Sequence, residues 1–356
     1  MCYNYNNEVY KLNNREKIVL NLIRDDALSI YSLFKHIESR KDMANYTVAL
    51  TPILGLYIEG AAKWLKNNSE LKNIVPKMNL ECKIFYEKLR QNTKFYGEDI
   101  VDIEKELRGQ FNQADDYFSQ SINIFNKVID IHDNYGVTFL AQNNTKIPIA
   151  NTIDFANLLP DFKFDLEYAI KLKDYLFYAG SLISKILGKD LMIEKNLYKI
   201  DKKIKFVNKD YGFFNRSSFS QKYNQNFILF NLICNINFIL YGLNQLIIED
   251  VPIKLRATYL LYYYLCSINS KINDYFKSSF NIDNRYSDRT VRNALAHYGL
   301  YQALGDDITE DDLFGGLTNK YFNLNWIDLL KELNVILLDY RDQILFYLEK
   351  NNIQIV

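Results

Sequence analysis

Between Asp288 and Tyr298 the chain places two arginines, Arg289 and Arg292, upstream of His297, one of only three histidines in 356 residues. An imidazole moves a proton near neutral pH. A guanidinium grips a phosphate through paired, charge-assisted hydrogen bonds. Together they can cut a phosphodiester whose neighbouring 2′-hydroxyl is the nucleophile, which makes RNA the substrate and excludes DNA. That chemistry asks for no metal and no cofactor, and none is expected.

On a helix, at about 100° per residue, Arg289, Asn293 and His297 share one polar stripe and Arg292 flanks it. Arg292 and His297 are five positions apart and diverge on a straight helix. Two copies facing across a two-fold axis could gather both arginines and both histidines around one phosphate. Ala294 and Ala296 are small enough for two such helices to approach closely, with the axis near Ala296. Asn293 would orient the phosphate or the imidazole, and Arg289 and Tyr298 are further candidates for substrate contact.

Arg292-Asn293 followed by His297, with Ala296 before the histidine and Tyr298 after it, resembles the HEPN family (higher eukaryotes and prokaryotes nucleotide-binding domains). That family's ribonuclease motif is Arg, a polar residue, several more residues, then His. The resemblance covers the motif helix and its neighbours, about residues 220–350. It implies a dimerising α-helical bundle. It also implies metal-independent RNA cleavage leaving a cyclic phosphate, with Arg292, Asn293 and His297 as the catalytic set. The settings implied are antiphage defence, abortive infection or a toxin, with an antitoxin, a regulatory RNA or a phage-derived activator as further partners. In some toxin members a tyrosine two residues after the histidine is modified; here Gly299 holds that position. Two other classes compete: a HEPN-like binding or regulatory module, and a helical interaction protein in which the motif is accidental.

The rest of the chain must position these groups. About half of it is apolar, 48%, and the formal net charge is zero. A sizeable core follows, and nothing global draws the protein onto nucleic acid. Thirteen glycines and five prolines are few breakers, so the expected class is all-α, with at most minor β-hairpins in the middle. The expected division is an N-terminal helical region, 1–215, and a HEPN-like helical domain, 216–356. Cys2, Cys82, Cys234 and Cys266 are dispersed and read as free thiols. The start of the chain lacks the basic and apolar segments of a signal peptide, so a cytoplasmic location is expected.

Periodicity predicts helices over 8–66, 98–133, where His132 continues the apolar stripe, and 165–188. Segment 137–164 reads as a loop or short hairpin. Residues 195–216 form a basic stretch with interleaved aromatics. Within it Lys202, Lys203 and Lys205 are candidate RNA contacts on a hairpin or loop. Residues 219–249 are long and apolar enough for a membrane span. Their amides, Asn224, Asn231 and Asn235 on one face with Asn237, Asn244 and Gln245 besides, instead predict a buried helix pairing with a neighbour and no membrane partner. Pro252 suits the first turn of a helix over 252–280. Ser287 or Asp288 caps the motif helix, expected to run to Gly305. An acidic loop, 306–312, lacks the spacing of a calcium loop. A last helix carries Trp326, Leu330, Leu333, Leu337, Tyr340, Ile344 and Leu348 on one face.

Overall fold

In the computed structural model, residues 4–5, 8–9, 11–43, 45–92, 100–102, 136–142, 145–151, 166–188, 197–210 and 226–353 are described, with single positions between 104 and 112. The periodic segment 98–133, with His132, falls almost wholly outside them.

The fold is mostly helical around a small sheet. A two-residue ladder, β1 (Asn4–Tyr5) with β2 (Glu8–Val9), precedes α1 (Asn14–Glu38), α2 (Tyr46–Asn67) and α3 (Leu80–Asn92). Then come β3 (Gly136–Gln142), β4 (Thr145–Asn151), α4 (Leu166–Leu187) and β5 (Lys205–Asp210). The C-terminal part holds α5 (Asn226–Asn237), continued by a π-helical turn (Phe238–Leu243), and α6 (Pro252–Phe276). It closes with α7 (Arg289–His297), α8 (Leu300–Leu304), α9 (Leu317–Phe322) and α10 (Trp326–Lys350). The sheet is antiparallel, in the order β4-β3-β5. Lys205 thus opens a third strand beside the predicted hairpin and does not belong to a hairpin of its own. The main-chain demand of the central strand β3 drew β5 in.

Local chemistry explains the borders. Asn13 and Glu16 form a reciprocal capping box at α1. Pro252 sits in the first turn of α6, where a missing N–H costs nothing. The amides pair as expected. Asn151 Nδ2 donates to Asn231 Oδ1 at 2.6 Å, Asn237 Nδ2 to Pro148 O at 2.9 Å, and Asn244 Nδ2 to Asn334 Oδ1 at 2.8 Å. These bonds tie α5 and its continuation to the sheet and to α10. Asn226–Leu243 is apolar enough to cross a membrane, but 78% of it is buried inside the protein. Cys82, Cys234 and Cys266 are free thiols.

One contiguous apolar core takes residues from both sides of position 215, including Leu20, Ile23, Leu33 and Tyr57 with Leu255, Leu265, Val291 and Leu337. The motif helix α7 packs on α2 as well as on α6.

Beside this core lies Asp25. Burial, then the charge of neighbouring Asp26, pushes its carboxyl up to about 6. Tyr198 Oη donates to it at a long 3.4 Å. From the ordinary carboxyl range up to that value, the folded state keeps a proton that the unfolded chain has released. Stability from this group is therefore lost as pH rises through the window. Asp25→Asn should accordingly stabilise the protein at about pH 7.5 by on the order of 2 kcal/mol. The gain should shrink as pH falls towards 4. Denaturant midpoints of both proteins at several pH values check this; a gain independent of pH contradicts it.

Candidate functional site

The loop entering α7 is fastened from α6. Tyr259 Oη donates to Tyr286 O at 2.8 Å and accepts from Asp288 N at 3.1 Å. Tyr262 Oη donates to Asp283 O at 2.8 Å and accepts from Tyr286 N at 3.1 Å. Asp288, one of the two predicted caps, then caps α7: its Oδ1 accepts from Thr290 N at 2.7 Å and Val291 N at 2.9 Å. The other candidate, Ser287, is not the cap.

The helix stops at His297, two turns short of the predicted Gly305. Tyr298 takes the left-handed conformation, φ 55°, ψ 31°, and Gly299 N closes on Ala294 O at 2.9 Å. A non-glycine residue there costs about 1–2 kcal/mol. The Tyr298 side chain explains why it stays. It is 1% exposed, its hydroxyl donates to Asp26 Oδ2 at 2.6 Å, and Arg256 donates to that hydroxyl. Arg256 also pairs with Asp26, donates from Nε to Leu295 O at 2.7 Å, and lays its guanidinium 3.8 Å from the Tyr298 ring centroid. The expected substrate contact at Tyr298 is therefore corrected: the ring belongs to the core.

His297 and Arg292 sit elsewhere on the same helix, at the surface. His297 Nδ1 lies 3.5 Å from Glu59 Oε2 on α2, and Arg90 Nε of α3 lies 3.1 Å from the same oxygen. The histidine contact is long for a hydrogen bond and is best described as a charge contact. Burial alone would raise the Glu59 carboxyl; His297 and Arg90 beside it outweigh that and hold it below the ordinary range. Arg292 stacks over Tyr263, 5.2 Å from its centroid, and 6.0 Å from that of Tyr264. Among the described residues Arg292 has no carboxylate partner, and its buried Nε has no acceptor. Burial raises the Tyr264 hydroxyl, while the charges of Arg292 and Arg90 pull it back. One hydroxyl thus feels both guanidiniums. Arg292 and Arg90 both face Tyr264, and Arg90 and His297 both face Glu59, so the five side chains form one cluster with an imidazole at its edge.

The remaining predicted residues separate. Arg289 and Asn293 are exposed on the outer face of α7. Lys202, Lys203 and Lys205 are also exposed, but their segment is docked on residues 40–43: Arg40 donates to Ile204 O at 2.7 Å and Phe206 N to Asp42 at 3.3 Å. Ala294 and Ala296, expected to leave room for a second copy of the helix, instead face the inside of their own chain. Both are buried, Ala296 against Leu56, Leu260 and Tyr264. Their smallness admits α2.

Two glycines of α2 make this assembly possible. A Cβ at Gly55 would stand 2.5 Å from Leu89 Cβ on α3, and one at Gly60 would stand 3.1 Å from Ala296 O and the Tyr298 ring. Glu59 lies between them, so each neighbouring helix comes close enough to present its cation. Glu59 and Arg90 were missed from the sequence. The available signal was an acid inside the apolar run Ile53–Ala62.

Comparison with protein-family models, with curated proteins and with solved structures returned no match.

Gly55→Ala should destabilise the protein by about 1–3 kcal/mol through overpacking, although alanine is the better helix former by about 1 kcal/mol. Thermal melts of the variant check this, and an unchanged or higher midpoint contradicts the close α2–α3 crossing.

Proposed function

We propose that the protein is a metal-independent RNA endonuclease of HEPN type, working in the cytoplasm as a dimer in antiphage defence or as a toxin. The observation that supports this most is Arg292, a guanidinium without a carboxylate partner among the described residues, held against two tyrosines in the same cluster as His297. An unpaired, half-buried cation of this kind suits an anionic ligand.

In the proposed reaction the RNA 2′-oxygen attacks the adjacent phosphorus and His297 takes its proton. Arg292 holds the phosphate and stabilises its developing charge. The bond from phosphorus to the 5′-oxygen breaks, and an imidazolium, that of the second copy, protonates the leaving oxygen. Asn293 and Arg289 stand on the exposed face where the second copy and the RNA strand meet. Lys202, Lys203 and Lys205 serve as a remote contact for a longer strand.

The protein should cleave RNA and not DNA in EDTA, leaving 2′,3′-cyclic phosphate and 5′-hydroxyl ends. His297→Ala and Arg292→Ala should each lower the rate by at least about 100-fold and change stability by no more than about 1 kcal/mol. Light scattering should give about 84 kDa, a dimer of the 42.1 kDa chain. A mixture of the two inactive variants should recover partial activity, since their heterodimer keeps one Arg292 and one His297 on opposite chains. Strict dependence on magnesium, or a fully active monomer, contradicts the reading. Absence of any cleavage leaves a non-catalytic HEPN-like binding module or a helical interaction protein.

A further inference from the structure

We propose that Glu59 is the positioning residue for His297: it holds the imidazole in the Nδ1–H form and so makes Nε2 the nitrogen presented to substrate. Glu59 Oε2 faces Nδ1 at 3.5 Å. Nε2, on the opposite side of the ring, makes no hydrogen bond among the described residues, and the side chain is 28% exposed. The two ring nitrogens are therefore inequivalent, one turned to a carboxylate inside the protein and one outward. In a neutral imidazole the nitrogen beside a carboxylate carries the proton, and the other keeps the lone pair that accepts one.

The carboxylate is itself fixed. Arg90 Nε lies 3.1 Å from the oxygen that faces the histidine, a charge contact without hydrogen-bond geometry. Both Glu59 and the Arg90 side chain are mostly buried, at 16% and 15% exposure. Gly55 and Gly60 set the approach of α3 and α7 to α2 on either side of Glu59. The carboxylate is thus not a surface acid that happens to lie near a histidine. It is clamped between two helices that close-approach glycines bring to it. An acid that orients an imidazole without being consumed is the arrangement in which a carboxylate sets the tautomer of a general base. The N-terminal helices consequently complete the histidine's environment, although the recognisable motif lies wholly on α7.

The chemical consequence rests on the nuclease reading above, whereas the tautomer does not. The test uses the full chain labelled with 15N-histidine, at about pH 8.5, where an ordinary imidazole is neutral. With three histidines in the chain, the His297→Ala spectrum assigns the signal. Wild type should give the Nδ1–H pattern for His297. Glu59→Ala should move it to the Nε2–H form that a free imidazole favours. Glu59→Gln, whose amide offers either an oxygen or an N–H, should give a mixture. Cleavage of RNA by Glu59→Gln should fall by about 100-fold in kcat, with KM within about threefold, and its circular dichroism melt should stay cooperative. An unchanged His297 tautomer in both folded variants overturns the proposal, whatever the cleavage assay gives. If wild type cuts no RNA, the nuclease reading fails, and the spectra still decide the role of Glu59.

Discussion

The buried Asp26–Arg256–Tyr298 contact is the constraint on which the rest of the site hangs. Three helices meet in it: α1 supplies the carboxylate, α6 the guanidinium, and the end of α7 the phenol. A charged pair removed from water is a poor source of net stability but is costly to break singly, by about 3–5 kcal/mol. Its value is therefore geometric. Arg256 also takes up Leu295 O, a carbonyl near the helix end, so one side chain both terminates α7 and fixes its rotation. Tyr298 is buried, while His297 beside it stays partly exposed with its Nδ1 against Glu59. The Asp26–Arg256–Tyr298 contact is the reason a tyrosine tolerates a conformation that glycine usually occupies.

Much of the scaffold was legible because it obeys local rules. The Asp288 cap, the proline entering α6, the amide pairs of α5 and the face of α10 all follow from short-range preferences or simple periodicity. The reading failed where tertiary demand overrode those rules. Gly299 was the one local signal of a helix stop and Gly305 was preferred to it; what seats Tyr298 in the left-handed turn is Asp26 on the first helix. The alanines of α7 read as an outward contact because sequence gives smallness but not the neighbour; the neighbour is Gly60. The third strand was missed because its pairing partner is distant along the chain. At the site, the residue types on α7 were readable because they share one helix. Glu59 and Arg90 were not, since contact between different helices leaves no spacing to detect.

Helix α2 carries the opposite kind of information. It has little polar character, yet its two glycines determine how closely two other helices can come. Their contribution is an absence of atoms, which a composition-based reading scores as a helix weakness. In the folded protein that weakness is offset by the helix crossings it permits. A polar cluster can thus depend on positions that bear no functional group.

The Asp26–Arg256–Tyr298 contact also has a consequence in time. A chain made from its N-terminus displays Asp26 long before Arg256 and Tyr298 exist. Until they emerge, the carboxylate must stay hydrated, and α1 cannot settle into its final packing. The end of α7 cannot form its stop without that carboxylate either. The surface that carries Arg292 and His297 is therefore assembled among the last parts of the molecule. A ribosome-bound or truncated chain that lacks the last of these three groups carries an unfinished version of it.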